Sequence, residues 1–137
     1  MSKQRGMSKH GFTLLELLMV VIIIGILTSI ALPQYIKMSE RARSSEAMII
    51  LASVRSAQLR YRAGSPGNVF TATITDLDID IPSGGAASTV WDYNTNTTHA
   101  NATRKAGGAG SGTIFQNLTS GCFNASNAIW GLPTTAC

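Results

Sequence analysis

Gly11-Phe12-Thr13-Leu14-Leu15-Glu16 joins a short basic leader to a long apolar run that carries one acid. From Phe12 to Leu32 there are 21 residues, and Glu16 is the only charged one. At about 1.5 Å of rise per residue, a helix of that length spans roughly 31 Å, close to the hydrocarbon core of a bilayer. A lone carboxylate there costs on the order of 2.5–3.5 kcal/mol at mid-bilayer and less near an end. Lys3, Arg5, Lys9 and His10 precede the run, and the next charged residue after Glu16 is Lys37. The positive-inside bias therefore keeps Met1–Gly11 in the cytoplasm and exports the chain beyond Leu32.

The leader and its Phe-Thr-Leu-Leu-Glu junction resemble the processing site of type IV prepilins and the related pseudopilins: Gly before the cut, Phe and Thr after it, and Glu fifth after it. The likeness runs on through Pro33 and Tyr35 and is close over about the first 60 residues, with only an outline beyond. It implies that a prepilin peptidase cuts between Gly11 and Phe12 and methylates the Phe12 amine. It further implies that the subunit waits in the inner membrane and is lifted by an ATPase-driven assembly platform into an extracellular helical homopolymer. In such fibres the helix loosens between positions matching Gly25 and Pro33. Glu16 would pair with the Phe12 amine of a neighbouring subunit.

Other readings account for parts of the same stretch. Leu17–Leu27 followed by Ser29-Ile30-Ala31 fits a secretory signal cut after Ala31, which would release a soluble binding module. That reading leaves Glu16 unexplained and ignores the helix that comes directly after. An uncleaved single-span anchor is a further alternative. Size separates the two cuts: 126 residues remain after Gly11 and 106 after Ala31. Within the resemblance, the rival is a pseudopilin of type II secretion, whose carboxy-terminal loop is rich in calcium-binding acids. This chain has no Asp or Glu after Asp92, which favours the pilin.

Composition narrows the function further. The formal charge is +4, but three of the eleven basic residues lie in the leader, leaving eight against seven acids. A nearly neutral chain gives no electrostatic case for nucleic acid. Cys122 and Cys137, with 14 residues between them, are the only cysteines, and an even pair in an exported chain reads as a disulfide. That placement also matches the carboxy-terminal loop of major pilins. Two cysteines with His10 and His99 far apart make no metal-ligand spacing. No nucleophile–His–acid ordering or phosphate loop accompanies them, so neither an enzyme nor a cofactor is expected.

The resulting fold class is α+β, type IV pilin-like: a long kinked N-terminal helix, half of it transmembrane, packed on a small antiparallel sheet. Residues 1–11 are the leader, 12–33 the apolar half-helix and 34–63 the amphipathic half-helix. Residues 64–137 form a globular β domain with the disulfide loop. Pro33 should kink the helix without stopping it, and Gly25 is a second weak point. Beyond Pro33 two apolar stripes emerge, one of Tyr35, Met38, Ala42, Ile49, Ala52 and Leu59, the other of Ala47, Ile50, Leu51, Val54, Ala57 and Tyr61. One stripe suffices to cover a single small sheet, so the second is available to neighbouring subunits. Glu40 and Glu46 fall among Lys37, Arg41 and Arg43 at spacings that pair on exposed helix faces.

Asp76, Asp78 and Asp80 alternate with Leu77, Ile79 and Ile81, which gives an extended chain with a solvated acidic side. Thr89–Tyr93, His99–Arg104 and Thr113–Leu118 are strand candidates in a meander. The tail, Gly121–Cys137, is expected to lie over the sheet. Asn96, Asn101, Asn117 and Asn124 each begin an Asn-x-Ser/Thr triplet, a pattern that arises easily in so Asn- and Thr-rich a segment.

Overall fold

The computed structural model describes residues 11–81, 90–105 and 110–135. Helix α1 runs Leu14–Gly64 with Pro33 inside it. The described residues up to Tyr35 and those from Ile36 onward belong to two separate compact units.

The first unit is the start of α1. Every large apolar side chain from Phe12 to Leu32 is exposed, because no other element of that unit covers it. Two hydroxyls midway along it bond within the helix. Thr28 Oγ1 donates to the Ile24 and Gly25 carbonyls at 2.8 and 3.0 Å, and Ser29 Oγ donates to the Ile26 carbonyl at 2.7 Å. Such back-bonding lets a hydroxyl enter an apolar run without an orphaned donor. Pro33 lacks the amide that would reach Ser29, so this helical turn has one hydrogen bond fewer.

In the second unit α1 buries Glu40, Ser44, Ala47, Leu51, Val54, Ala57 and Gln58. Their spacing alternates mainly between three and four, which keeps them on one face. This is the second of the two apolar stripes, extended by polar residues at both ends. The sheet opposite is a meander in the order β1 (Trp91–Thr95), β2 (His99–Arg104), β3 (Thr113–Asn117), β4 (Phe123–Ala125), antiparallel throughout. Alternation turns Trp91, Tyr93, Ala100, Ala102 and Ile114 inward to join Leu51 and Val54 in one core. Leu77 and Ile81 enter the same core from the acidic connection, while Asp76, Asp78 and Asp80 stay outside it. Trp130 from the tail meets Trp91 edge to face at 5.1 Å.

Several features depart from the sequence expectations: Ile74–Asp76 form a 3-10 turn where the alternation predicts an extended chain, and β3 ends at Asn117, one residue early. Strand β4 is an addition to the expected three. Its three residues are too short to show a period, and it exists because it pairs with β3 across a turn closed by Asn117. Strand β1 ends two residues later than expected, at Thr95. Glu40 is not on an exposed face: it is 2% exposed. Arg104 of β2 donates from Nη2 to Glu40 Oε1 at 2.9 Å, and Arg43 reaches the same oxygen at 3.0 Å. The Arg104 guanidinium also stacks over Trp91 at 5.6 Å, whose indole nitrogen donates to the Arg43 carbonyl at 3.1 Å.

A second buried polar group does similar work. Gln58 donates from Nε2 to the Thr71 carbonyl and to Thr95 Oγ1, both at 2.8 Å, and accepts from the Thr71 amide at 3.1 Å. It thereby fastens the helix both to the connection and to the end of β1. At the surface, Arg60 binds Asp78 through two hydrogen bonds, and its guanidinium holds that carboxyl below the usual range.

The Glu40–Arg104 pair yields a stability test. Arg104→Ala leaves Glu40 buried with Arg43 alone, and should destabilise the domain by about 3–5 kcal/mol. The double change Glu40→Leu with Arg104→Met should recover most of that loss, because a packed apolar pair avoids desolvating two charges. Denaturant unfolding followed by the fluorescence of Trp91 and Trp130 measures both.

Candidate functional site

The residues singled out in the first unit are arranged along one helix rather than gathered into a pocket. Gly11 and Phe12 are exposed just ahead of α1. Gly25 has open space where a side chain would stand. Glu16 and Pro33 are 17 residues apart, roughly 26 Å along a helix. Nothing in this geometry resembles a catalytic cluster. It is a surface for packing, with one polar feature at its start.

That feature is a reciprocal cap, absent from the sequence expectations above. The Glu16 amide donates to Thr13 Oγ1 at 3.2 Å, while the Thr13 amide and hydroxyl each donate to Glu16 Oε2 at 3.3 Å. The Thr-x-x-Glu spacing is the sequence signal for such a capping box. The carboxylate satisfies a donor that α1 would otherwise leave bare, and a negative charge is favourable at the positive end of the helix dipole. Glu16 Oε1 has no hydrogen-bond partner among the described residues and remains available for a second interaction.

Beyond Pro33 the helix face opposite the core stays open. Met38 and Ile49 are 73% and 72% exposed, and Ala42, Ala52 and Leu59 line the same side. Tyr35, the last residue of the first unit, is 71% exposed. The two stripes therefore separate largely as expected, one facing the sheet and one facing solvent, except that Tyr61 of the core stripe is exposed. Apolar surface so extended marks an association site in a soluble or membrane protein alike. Among the described residues, α1 is the one helix long and apolar enough to cross a membrane.

Cys122 is half-buried just before β4, where its carbonyl accepts from the Asn117 amide at 3.0 Å and its sulfur from Ser120 Oγ at 3.2 Å. Cys137 lies outside the described residues. No group of three or more potential metal ligands occurs among the described residues.

Comparison with known proteins agrees with this arrangement. Residues 6–32 match the prokaryotic N-terminal methylation motif family. The chain is 33% identical over 93 residues to the type IV narrow pilus major component PilA5 of Thermus thermophilus, an alignment covering 67% of this chain and 77% of that protein. It is 52% identical over 52 residues to the type IV major pilin PilA of Myxococcus xanthus, covering 38% of this chain and 24% of that one. A fimbrial protein of Neisseria meningitidis serogroup A is 33% identical over 100 residues, covering 64% and 59%. An apolar N-terminal helix followed by a small antiparallel sheet, with these relatives, places the chain in the type IV pilin family. It spans between a quarter and three-fifths of the length of the Myxococcus and Neisseria relatives.

The cap can be tested by itself. Thr13→Val removes the hydroxyl but keeps the shape, and should weaken the first helical turn by about 1 kcal/mol. Amide hydrogen exchange in micelles should then speed up about fivefold from Leu14 to Leu17 and remain unchanged past Gly25. Equal exchange in both proteins would contradict the capping role.

Proposed function

We propose that this chain is a structural subunit of a type IV pilus, made as a membrane-anchored precursor and assembled through its N-terminal helix. The observation that carries this reading is the exposed apolar surface of Phe12–Leu32, which water cannot solvate favourably. Lipid covers it first, with the basic leader on the cytoplasmic side. Neighbouring copies cover it afterwards in an extracellular fibre. The family motif over residues 6–32 supports processing between Gly11 and Phe12 and methylation of the Phe12 amine by a prepilin peptidase. An assembly platform with its ATPase supplies the work of extraction. Domain limits obey the same logic: leader to residue 11, fibre-core helix to 33, amphipathic helix to 63 and coat domain thereafter.

Glu16 has two tasks in this scheme, one for each oxygen. Oε2 caps its own helix, and Oε1 accepts the Phe12 amine of the preceding subunit. In a dry fibre core an ion pair of that kind penalises any other register. Gly25 and Pro33 mark where the helix gives way during packing. The exposed stripe of Met38, Ile49 and Leu59 lies against adjacent copies.

Intact mass of sheared fibres tests processing: it should correspond to a chain starting at Phe12 with one added methyl group. A start at Met1 or Leu32 contradicts the proposal. Glu16→Ala should leave export, cleavage and domain folding intact and abolish or sharply reduce fibres. Normal fibres built only from that variant would show the role assigned to Glu16 to be wrong.

Cys122 and Cys137 are proposed to be bonded to each other. Closing a loop of that length stabilises a small domain by about 3 kcal/mol in the chain-entropy picture. Replacing both by Ser should lower stability by about 2–5 kcal/mol and reduce fibre yield. Non-reducing peptide mapping gives the direct answer, and free thiols on exported protein would overturn the pairing.

A further inference from the structure

The face of the sheet turned away from the core carries an aromatic ring that the fold does not use. Strand β3 sends Ile114 and Gln116 inward, and so leaves Phe115 on the outward side. Phe115 is half-buried and is not part of the hydrophobic core. It stands opposite Asn101 on β2 and opposite Asn124 on β4, so an amide flanks the ring on each neighbouring strand. With strands about 4.8 Å apart, the row Asn101–Phe115–Asn124 spans about 10 Å. His99 stands at nearly a right angle to the ring, 6.4 Å between centroids and 79° between planes. The hydroxyls of Thr103 and Thr113, 3.2 Å apart, stand on the side of the ring away from His99.

The amides are not engaged by the fold. Asn101 Oδ1 is buried without a partner, and the Asn124 side chain makes no hydrogen bond among the described residues. The Asn101 oxygen is closed even to water, so an incoming hydroxyl meets the Asn101 amide nitrogen instead, and either polar atom of the Asn124 amide. The contrast with Asn117 is informative, since its oxygen is already taken by the Thr119 and Ser120 amides. The outward face is also almost free of charge. Among the described strand residues its only ionised group is Asp92, on the far strand and paired with Lys105 at 3.2 Å.

A ring with an electron-rich face, two free amides beside it, hydroxyls at the margin and no ionised partner suit one class of ligand. The polarised C–H bonds on one side of a pyranose settle on the ring, and its hydroxyls both donate to and accept from the amides. A peptide or nucleic acid would call for an open strand edge or for basic groups instead. We propose that the outward face centred on Phe115 is a binding site for a neutral carbohydrate, held non-covalently between the Asn101 and Asn124 amides. This assignment is independent of how the subunit assembles.

Saturation-transfer NMR on the full chain tests it, in a phosphocholine detergent so that no sugar headgroup competes. Lactose, cellobiose and N,N′-diacetylchitobiose are the probes. At least one should receive saturation on its ring C–H protons. Phe115→Ala should abolish the signal and Phe115→Tyr should keep it. Asn101→Ala and Asn124→Ala should each weaken binding about fivefold, the factor that one neutral hydrogen bond carries. Unaltered Trp fluorescence would show that each variant is folded. Absence of transfer to all three disaccharides overturns the proposal, as does equal binding by folded Phe115→Ala. So does a mass showing the natural protein already glycosylated at Asn101 or Asn124, where the face would shelter its own glycan. Loss of fibres in Phe115→Ala without any sugar binding by the parent would make the face a contact between copies, and also contradicts it.

Discussion

Everything in this protein depends on an apolar helix surface that no other described element of its own unit covers. Nineteen consecutive positions, Leu14 to Leu32, carry a single charge, and their large side chains are at least half exposed with few exceptions. Fully burying one such side chain is worth about 1.5–3 kcal/mol, so leaving the whole set in water is not an option. The chain needs lipid or other copies of itself. The match to the N-terminal methylation motif over residues 6–32 fits the same requirement.

Burial of this kind is strong but has no direction, so it cannot set a register. Polar groups supply that information at a few places. Thr13 and Glu16 fix where the helix begins and leave one carboxylate oxygen unspent. In the second unit, the Glu40–Arg104 pair and the Gln58 network tie the helix to particular strands. Each is expensive if half-made and therefore discriminates against a slipped helix, where the apolar stripe alone would tolerate a shift of a turn. The helix thus presents one face to its own sheet and keeps the other free for association.

The large features are readable in the sequence because they are periodic or local. Twenty-one residues with one charge announce the span, and the two stripes past Pro33 divide as their spacing implies apart from Tyr61, which is exposed. Strand β2 has the bounds its alternation predicts, since Ala100, Ala102 and Arg104 face inward between polar neighbours. The hidden features are mostly non-local. Glu40 looks like a surface acid because its partner, Arg104, is 64 residues away and nothing in either segment points to the other. Strand β4 is three residues long and owes its existence to pairing rather than pattern. The outward row around Phe115 depends on register, which emerges only when β2, β3 and β4 are aligned. The capping box is different: its Thr-x-x-Glu spacing is local and legible, but Glu16 stands out first as a charge in lipid, which masks its second role.

Electron cryomicroscopy of fibres sheared from cells tests the central claim most directly. The account requires residues 12–32 of every copy to lie in the fibre interior, with Glu16 Oε1 within hydrogen-bond reach of the Phe12 amine of an adjacent copy and with the Met38–Leu59 stripe against neighbours. A fibre whose interior is formed by the sheet domains, or in which Glu16 faces solvent with the Phe12 amine elsewhere, would contradict it.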